Sequence, residues 1–432
     1  MKKIKIIGAG LAGCEAALQL AKDNYQIYLY EMRPKIQTPA HNTALFAELV
    51  CSNSLKSKLI TTSSGLLKEE MKLLDCELLK IAELANVPAG NSLSVDRLFF
   101  SELITEKIKK TPNITFINEE YIQFDNHETI LAAGPLISDQ LTANLIKIIG
   151  DHHLFFFDAI APVVSADSLD YTLLFWQSRY NKGEPDYLNC PFNKEEYQLF
   201  VKALVAGKKH VAKEFENAFF QNLKYQFYEN CIPIEELALR GPDTLRFGVM
   251  KPIGLSNPHN YQKPYAVIQL RKENNENTAY NLVGCQTMLQ YSEQKRIFSL
   301  IPGLNNAEFL RFGSIHRNTY LNTPQITNHD FSLIKAPNIR LAGQIAGVEG
   351  YTESIYSGLL TAGLMTGRIK NLPQETITGQ LWRYLTTPQQ NFKPMNANFG
   401  LLPEILMGKK NKKEKKELLA QRSLAAIQQF IN

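Results

Sequence analysis

The chain reads as an α/β protein in which a Rossmann-like domain is assembled from two separated parts of the sequence, with a second α/β domain inserted between them. Three stretches predict this. Residues 4–33, IKIIGAGLAGCEAALQLAKDNYQIYLYEMR, run from an apolar strand through a glycine turn into a helix and a second strand. A short apolar run at 129–135, TILAAGP, ends at Gly134 and returns the chain to the same sheet. A late strand and glycine turn, NIRLAGQIAGVEGY at 338–351, lead into a further helix. A length of 432 residues exceeds one ordinary core, and 44% hydrophobic with 21% charged residues is ordinary globular composition. The expected division is 1–140, an inserted domain at approximately 141–335, and 336–432.

The first turn carries the most specific signal. Gly8 permits the tight turn, Gly10 lets backbone approach a pyrophosphate, Gly13 lets helix and strand pack closely, and the helix N-terminus attracts phosphates. Glu31 ends the second strand about 20 residues on, where a carboxylate can accept hydrogen bonds from ribose hydroxyls. This strand, turn and helix context predicts a dinucleotide site, specifically for FAD, with Arg33 of the EMRP turn beside it. The 338–351 segment has the order of elements that contacts the ribitol and flavin ring in two-part FAD folds. Gly343 and Gln344 fall there, Gln344 where many such proteins carry an acid.

Between these parts, the leucines of 65–84 recur at helical spacing and read as core. Near the end, GKKNKKEKKELLAQR concentrates Lys409, Lys410, Lys412, Lys413, Lys415 and Lys416 before an amphipathic run. Such a cluster suits phosphate contacts. On charge alone, a solvated helix face explains it as well. The net charge is +5.

Six cysteines without a CxxC pair argue against a disulfide framework and a zinc site, so no metal is expected. No signal peptide is visible and no apolar run approaches membrane-spanning length, which predicts a cytoplasmic protein. Cys14, Cys76 and Cys285 read as small buried hydrophobes, and Cys190 stays open. Cys51, in FAELVCSNSLKS, is followed by Ser52, Asn53 and Ser54. Cys231, in CIPIEELALRG, precedes Glu235 and Glu236. A cysteine attacks as its thiolate and needs an activating neighbour, which sequence spacing does not reveal.

The strings GAGLAGCEAA, YEMRP, QTPAHNTALFAELVCSNSLKS, VPAGNSLSVDR, SRYNKGEPDYLNCPFNKEEY, CIPIEELALRG, IPGLNNAEFLRFGSIHRNTY and LAGQIAGVEGYTES resemble the TrmFO family, the folate- and FAD-dependent RNA (uracil-5-)-methyltransferases. The resemblance runs from the N-terminus to about residue 425. It implies that the methylene of 5,10-methylenetetrahydrofolate passes by way of reduced FAD to C5 of a uridine, with NADPH or NADH as reductant. It implies Cys231 as the nucleophile at uracil C6, with Ile232 in place of the usual methionine, and Cys51 as a second catalytic cysteine. Tyr351 is placed to stack near the flavin or folate ring. Arg97, Lys251, His316 and Arg317 lie in matching motifs and suit folate carboxylates or RNA phosphates, and His41 lies near the flavin-domain entry.

The implied partner is structured RNA with folate, without a membrane or an obligate protein partner, and the basic cluster then becomes an RNA contact. The T-loop uridine of tRNA is favoured narrowly over a uridine of 23S ribosomal RNA, the target of relatives in low-GC bacteria. Val249, Asn91 and Cys285 depart from the family pattern away from the expected nucleophile. The target base must leave its stack to be reached. Alternative readings are a GidA-like tRNA-modifying flavoprotein, a small-molecule FAD oxidoreductase, and an RNA-binding protein without turnover.

Overall fold

The computed structural model describes residues 1–38, 40–150, 153–209, 232–259, 262–274, 276–390, 392–405 and 412–432, with backbone alone at 153–160, 314–318 and 412. Its first sheet begins with β1 (Lys3–Ile7), followed by α1 (Leu11–Lys22) and β2 (Gln26–Tyr30). The strand order is Ser332–Leu333, Ala336–Leu341, Thr129–Leu131, β1, β2, Ile114–Ile117. All neighbours run parallel except the first pair. Early and late segments therefore meet in one sheet, with Ile6 opposite both Leu29 and Ile130. Parallel strands covered on both faces need near-continuous apolar runs, and Ile4, Ile6, Ile7, Ile27, Leu29, Ile130 and Leu131 are all buried.

Helix α1 lies against the long helix Tyr351–Thr366. Two glycines set the spacing. A Cβ on Gly13 would sit 1.9 Å from the Gly8 carbonyl oxygen, and one on Gly358 would sit 2.2 Å from the Ala12 carbonyl oxygen. The helical stretch expected over 65–84 is instead two helices, Ser63–Leu73 and Glu77–Leu84. Asp75 breaks them by adopting a left-handed φ of 62°, a conformation aspartate tolerates better than most residues. The buried Glu15 carboxylate then receives the Glu77 and Leu78 amides at 3.1 and 2.8 Å, an N-terminal cap supplied from α1.

The second sheet is antiparallel throughout, in the order Phe175–Trp176, Tyr187–Phe192, Ala266–Lys272, Ala279–Val283, Val163–Ser165, Phe309–Arg311. One face packs on the helices Lys194–Ala206 and Tyr291–Phe298 through Leu188, Leu270, Leu282, Phe200 and Phe298. A two-stranded antiparallel ribbon, His153–Ile160 with Ser314–Leu321, lies between the two sheets in sequence. The last helix, Lys412–Ile431, docks in the first core through Leu419, Ala420 and Ile427. Its Ser423 hydroxyl donates to the buried Glu70 carboxylate at 2.5 Å, and the same carboxylate receives Ile377 and Thr378 amides.

Candidate active site

The glycine turn has the geometry its sequence predicts. Gly8 holds a φ of 101°, and a Cβ there would meet the Ala132 carbonyl oxygen at 2.6 Å. Gly10 is the N-cap of α1, and its missing side chain leaves open space within 4 Å. A glycine cap gives the first-turn amides no side-chain partner, so they are available to an anion. The Glu31 carboxylate faces the turn and receives the Ala9 amide at 3.1 Å.

Arg33 occupies the rest of Glu31. Its backbone N–H and Nε both reach Oε1 at 3.0 Å, and Nη2 reaches Oε2 at 3.3 Å. Nη1 donates to Glu48 and to the Thr43 carbonyl at 3.2 and 3.3 Å. Burial opposes ionisation of Glu31, but the Arg33 charge and hydrogen bonds outweigh it and hold its pKa below the usual carboxylate range. At the second turn, Gly343 has a φ of 80° and its N–H meets the Ser357 hydroxyl at 3.0 Å. Gln344 donates to Glu349 at 3.1 Å.

That second turn leads directly to Tyr351, the first residue of its helix. The Tyr351 hydroxyl reaches across the molecule to the 49–53 loop. It accepts the Cys51 amide at 2.7 Å and the Ser52 amide at 3.3 Å, and lies 3.0 Å from Cys51 Sγ. With two amides already directed at its oxygen, the phenolic O–H is the natural donor toward sulfur, although the thiol can donate in the reverse sense. Burial, and then the Cys51 sulfur, push the Tyr351 pKa well above its ordinary value, so the phenol keeps its proton.

The same loop is clamped from the other side by three arginines that the sequence reading did not assemble. Arg97 pairs with the buried Glu273 at 2.6 Å and donates to the Leu49 carbonyl at 2.9 Å. Arg271 donates to the Ser52 hydroxyl at 2.7 Å, and Arg311 to the Val50 carbonyl at 3.0 Å. Asn53, fully buried, bridges the Val95 and Lys272 carbonyls. Burial depresses the Arg271 pKa and brings that of Arg311 down to about 10. Arg271 Nε and Arg311 Nε and Nη2 are buried without a hydrogen-bond partner, a costly state that an anion beside the loop would relieve.

Strand register explains the convergence. Tyr187, Arg271, Asn281, Val163 and Arg311 are opposite one another across five strands. The face of the second sheet turned away from its helices therefore presents one row to the cysteine loop. A signal for Arg271 and Glu273 was present in the sequence: the strand-like run AVIQL closes on three successive charged residues, Arg271, Lys272 and Glu273. Nothing local marked Arg311.

The other expected residues separate into groups. Cys231, Lys409 and Lys410 lie outside the described residues, as do the side chains of His316, Arg317 and Lys412. Lys413 sits on the last helix 3.9 Å from Glu417. Lys251 is exposed. The His41 ring contacts Thr38 Oγ1 at 2.6 Å. Cys14, Cys76, Cys190 and Cys285 are fully buried, and burial drives all four thiols up. Cys190, open on its sequence context, thus shares the buried setting of the other three. Among the described residues there is no cluster of histidines, cysteines and acids suited to a metal, and no helix long and apolar enough to cross a membrane.

The whole chain is 48% identical to the methylenetetrahydrofolate–tRNA-(uracil-5-)-methyltransferase TrmFO of Exiguobacterium sibiricum, covering 100% of this chain and 99% of that protein. The chain belongs to the TrmFO family. The same named protein of Bacillus subtilis is 48% identical over 98% of both chains, and that of Aquifex aeolicus 48% identical over 100% of this chain and 96% of its own. A family model described as glucose inhibited division protein A (GidA) matches residues 3–373. Among solved structures, Aquifex aeolicus GidA superposes with a TM-score of 0.70 at 14% identity, covering 99% of this chain and 73% of that one. At that identity the likeness speaks for the fold: TrmFO-family and GidA chains share one architecture, and the Cys51 centre must be judged on its own geometry.

Proposed function

We propose that this TrmFO-family chain is a methylenetetrahydrofolate-dependent RNA (uracil-5-)-methyltransferase that uses FAD and oxidises NADPH or NADH. Its substrate is a uridine of tRNA, with the T-loop position as the specific target. The observation that carries this reading is the Cys51–Tyr351 pair, 3.0 Å apart and seated where the second glycine turn ends. A hydride-transferring oxidoreductase has no need of a thiol held by a proton donor at that position.

The residues fit FAD. The open space at Gly10 and the uncapped first turn of α1 suit the pyrophosphate. Glu31 suits the ribose, whose hydroxyl would replace the longest Arg33 contact. Bound there and reduced by NADPH or NADH, FAD would supply the reducing equivalents and the one-carbon transfer chemistry. The chain's own residues do the rest. C5 of uracil is a poor nucleophile, and addition of the Cys231 thiolate at C6 gives it enolate character. Cys51 and Tyr351 hold and move a proton beside the reacting base. Arg271 and Arg311, with buried N–H groups to spare, bind a carboxylate or phosphate oxygen of folate or RNA.

We also assign 1–140 and 336–432 to the FAD-binding domain and the bulk of 141–335 to the substrate domain, with a cytoplasmic location. The two ends of 141–335 return to the first sheet through Leu141, Leu145 and Ile149 and through the strand Ser332–Leu333. The lysines at 409–413 contribute phosphate contacts.

The test is nucleoside mass spectrometry for 5-methyluridine after incubating the purified flavoprotein with methylenetetrahydrofolate, NADPH and unmodified tRNA or 23S ribosomal RNA in parallel. Product on tRNA, abolished in Cys231→Ala, supports the reading. Product on ribosomal RNA alone overturns the target, and product on neither overturns the reaction.

A further inference from the structure

A second feature of the same sheet face is not used by the reaction. One residue pair along the strand Ala266–Lys272 from Arg271 stands Gln269, on the same face because side chains alternate along a strand. Two residues advance about 7 Å, so Gln269 stands about one pair away from the row clamping the Cys51 loop. Gln269 holds Arg179. The Arg179 guanidinium donates to Gln269 Oε1 at 3.1 Å and to the Ile253 carbonyl at 2.8 Å. Next to it, Tyr180 adopts a left-handed conformation, φ 61° and ψ 20°, with its N–H on the Gly254 carbonyl at 2.7 Å.

The Tyr180 ring lies directly on Gly254, where a Cβ would stand 3.0 Å from Cδ2 and Cε2. Gln177 ties the same turn to the 253–256 loop by accepting the Ser256 amide at 2.9 Å and donating to Asn181 at 2.7 Å. One ring face is thus supported by backbone and the side chain remains 63% exposed. A tyrosine held in an uncommon backbone conformation, pinned by its neighbours and presented to solvent, is a preorganised stacking surface. Basic residues adjoin it in the chain: Lys182 follows the turn and Lys251 precedes Ile253, whose carbonyl Arg179 holds, and both lysines are exposed. Of the acids that follow in the chain, Glu184 is exposed and Asp186 receives the Gly90 amide.

Resting on the RNA-modifying reading above, we infer that Tyr180 is a base-stacking platform for an unpaired nucleotide flanking the target uridine, with Lys182 and Lys251 on the adjoining phosphates. The chemistry fits single-stranded RNA. An aromatic face accepts any base, the lysines neutralise the backbone, and a flipped uridine leaves neighbours whose stacking must be replaced.

The experiment is fluorescence anisotropy of the flavoprotein with a labelled T-loop hairpin RNA, without folate or NADPH, across a salt series. Tyr180→Ala is expected to weaken binding about 5- to 100-fold with the salt slope unchanged, while Tyr180→Phe stays within about twofold. Lys182→Ala should instead flatten the salt slope by about one unit. Gly254→Ala, which presses a Cβ on the ring and strains a turn held at a φ of 82° while keeping the tyrosine, should weaken binding in the same sense, with an unchanged melting temperature required for it to stand in for Tyr180→Ala. Unchanged affinity in Tyr180→Ala and Gly254→Ala overturns the inference. So does an altered subunit assembly with RNA affinity intact, which would make the patch a protein contact. Because binding is read without turnover, absence of 5-methyluridine from wild-type reactions would sink the proposed reaction while leaving this result readable.

Discussion

The glycine turn and the cysteine centre are built in opposite ways. The turn's own groups come from one contiguous stretch, residues 4–33, with Gly13 closing on Gly8 and Glu31 on Ala9, and only Ala132 reaching in from elsewhere. The cysteine centre draws on five separated segments: the 49–53 loop, Arg97, the strand end at 271–273, Arg311 and Tyr351. Its contact between Cys51 and Tyr351 spans 300 positions of chain. The first depends on what can fit without a side chain, and the second on buried charges that must find each other. Local sterics and long-range electrostatics therefore fail differently when disturbed.

The largest contrast lies within the turn itself. Gly13→Ala puts a Cβ 1.9 Å from the Gly8 carbonyl oxygen, and backbone cannot yield as a flexible side chain would, so a loss of at least ~3 kcal/mol is expected in thermal melts. Gly10→Ala, with open space around it, should melt like wild type and retain less flavin per chain by absorbance. Equal melting of the two variants would break the steric account.

Glu273→Ala is the matching test of the cysteine centre. It removes the acid paired with Arg97 and leaves Arg97, Arg271 and Arg311 without that countercharge. Breaking a buried pair from one side costs about 3–5 kcal/mol, and denaturant titration should show a loss in that range. A change below ~1 kcal/mol would mean the arginines are neutralised by another group.

Tyr351→Phe deletes one hydroxyl and keeps the ring. Two amides and the Cys51 sulfur lose their partner, which predicts a stability loss of about 1–2 kcal/mol. Turnover should fall at least ~10-fold with little change in KM for RNA. Unchanged kcat and KM would show that the ring, and not the hydroxyl, carries the function.

The smallest effect concerns an ion cluster on the first lobe, where Glu77 meets Lys22, Lys80 and Lys107. Burial raises its pKa, and the three lysines more than reverse this, lowering it to about 2. A depressed carboxyl stabilises the fold fully above its unfolded pKa of 4.5. That contribution disappears as pH falls from 4.5 toward 2, because the unfolded chain takes up the proton first. Glu77→Gln should flatten the acid limb of the stability curve by ~1 kcal/mol after solvent screening.

How much of this was readable in advance follows from the same contrast. Gly8, Gly10, Gly13 and Glu31 announce themselves because their roles depend on spacing within one strand, turn and helix. The late turn at Gly343 was legible for the same reason, and so was its return to the first sheet, since apolar strands bounded by glycine have few other uses. The helical run at 65–84 was misread as continuous, because leucine periodicity persists through Asp75 while the cap that splits it comes from Glu15, more than fifty residues earlier.

Folding decided the partners. Arg33, expected beside a ligand, is held by Glu31 and Glu48, and Arg97 by Glu273 and Leu49. Tyr351, expected as a stacking ring, meets Cys51 through its hydroxyl. The basic C-terminal run continues into a helix whose other face completes the first core. Local spacing specifies what a backbone can do, because sterics act over a few residues. Which charge faces which sulfur depends on strand register and sheet packing, and those are settled only when distant segments are brought together and water is excluded between them.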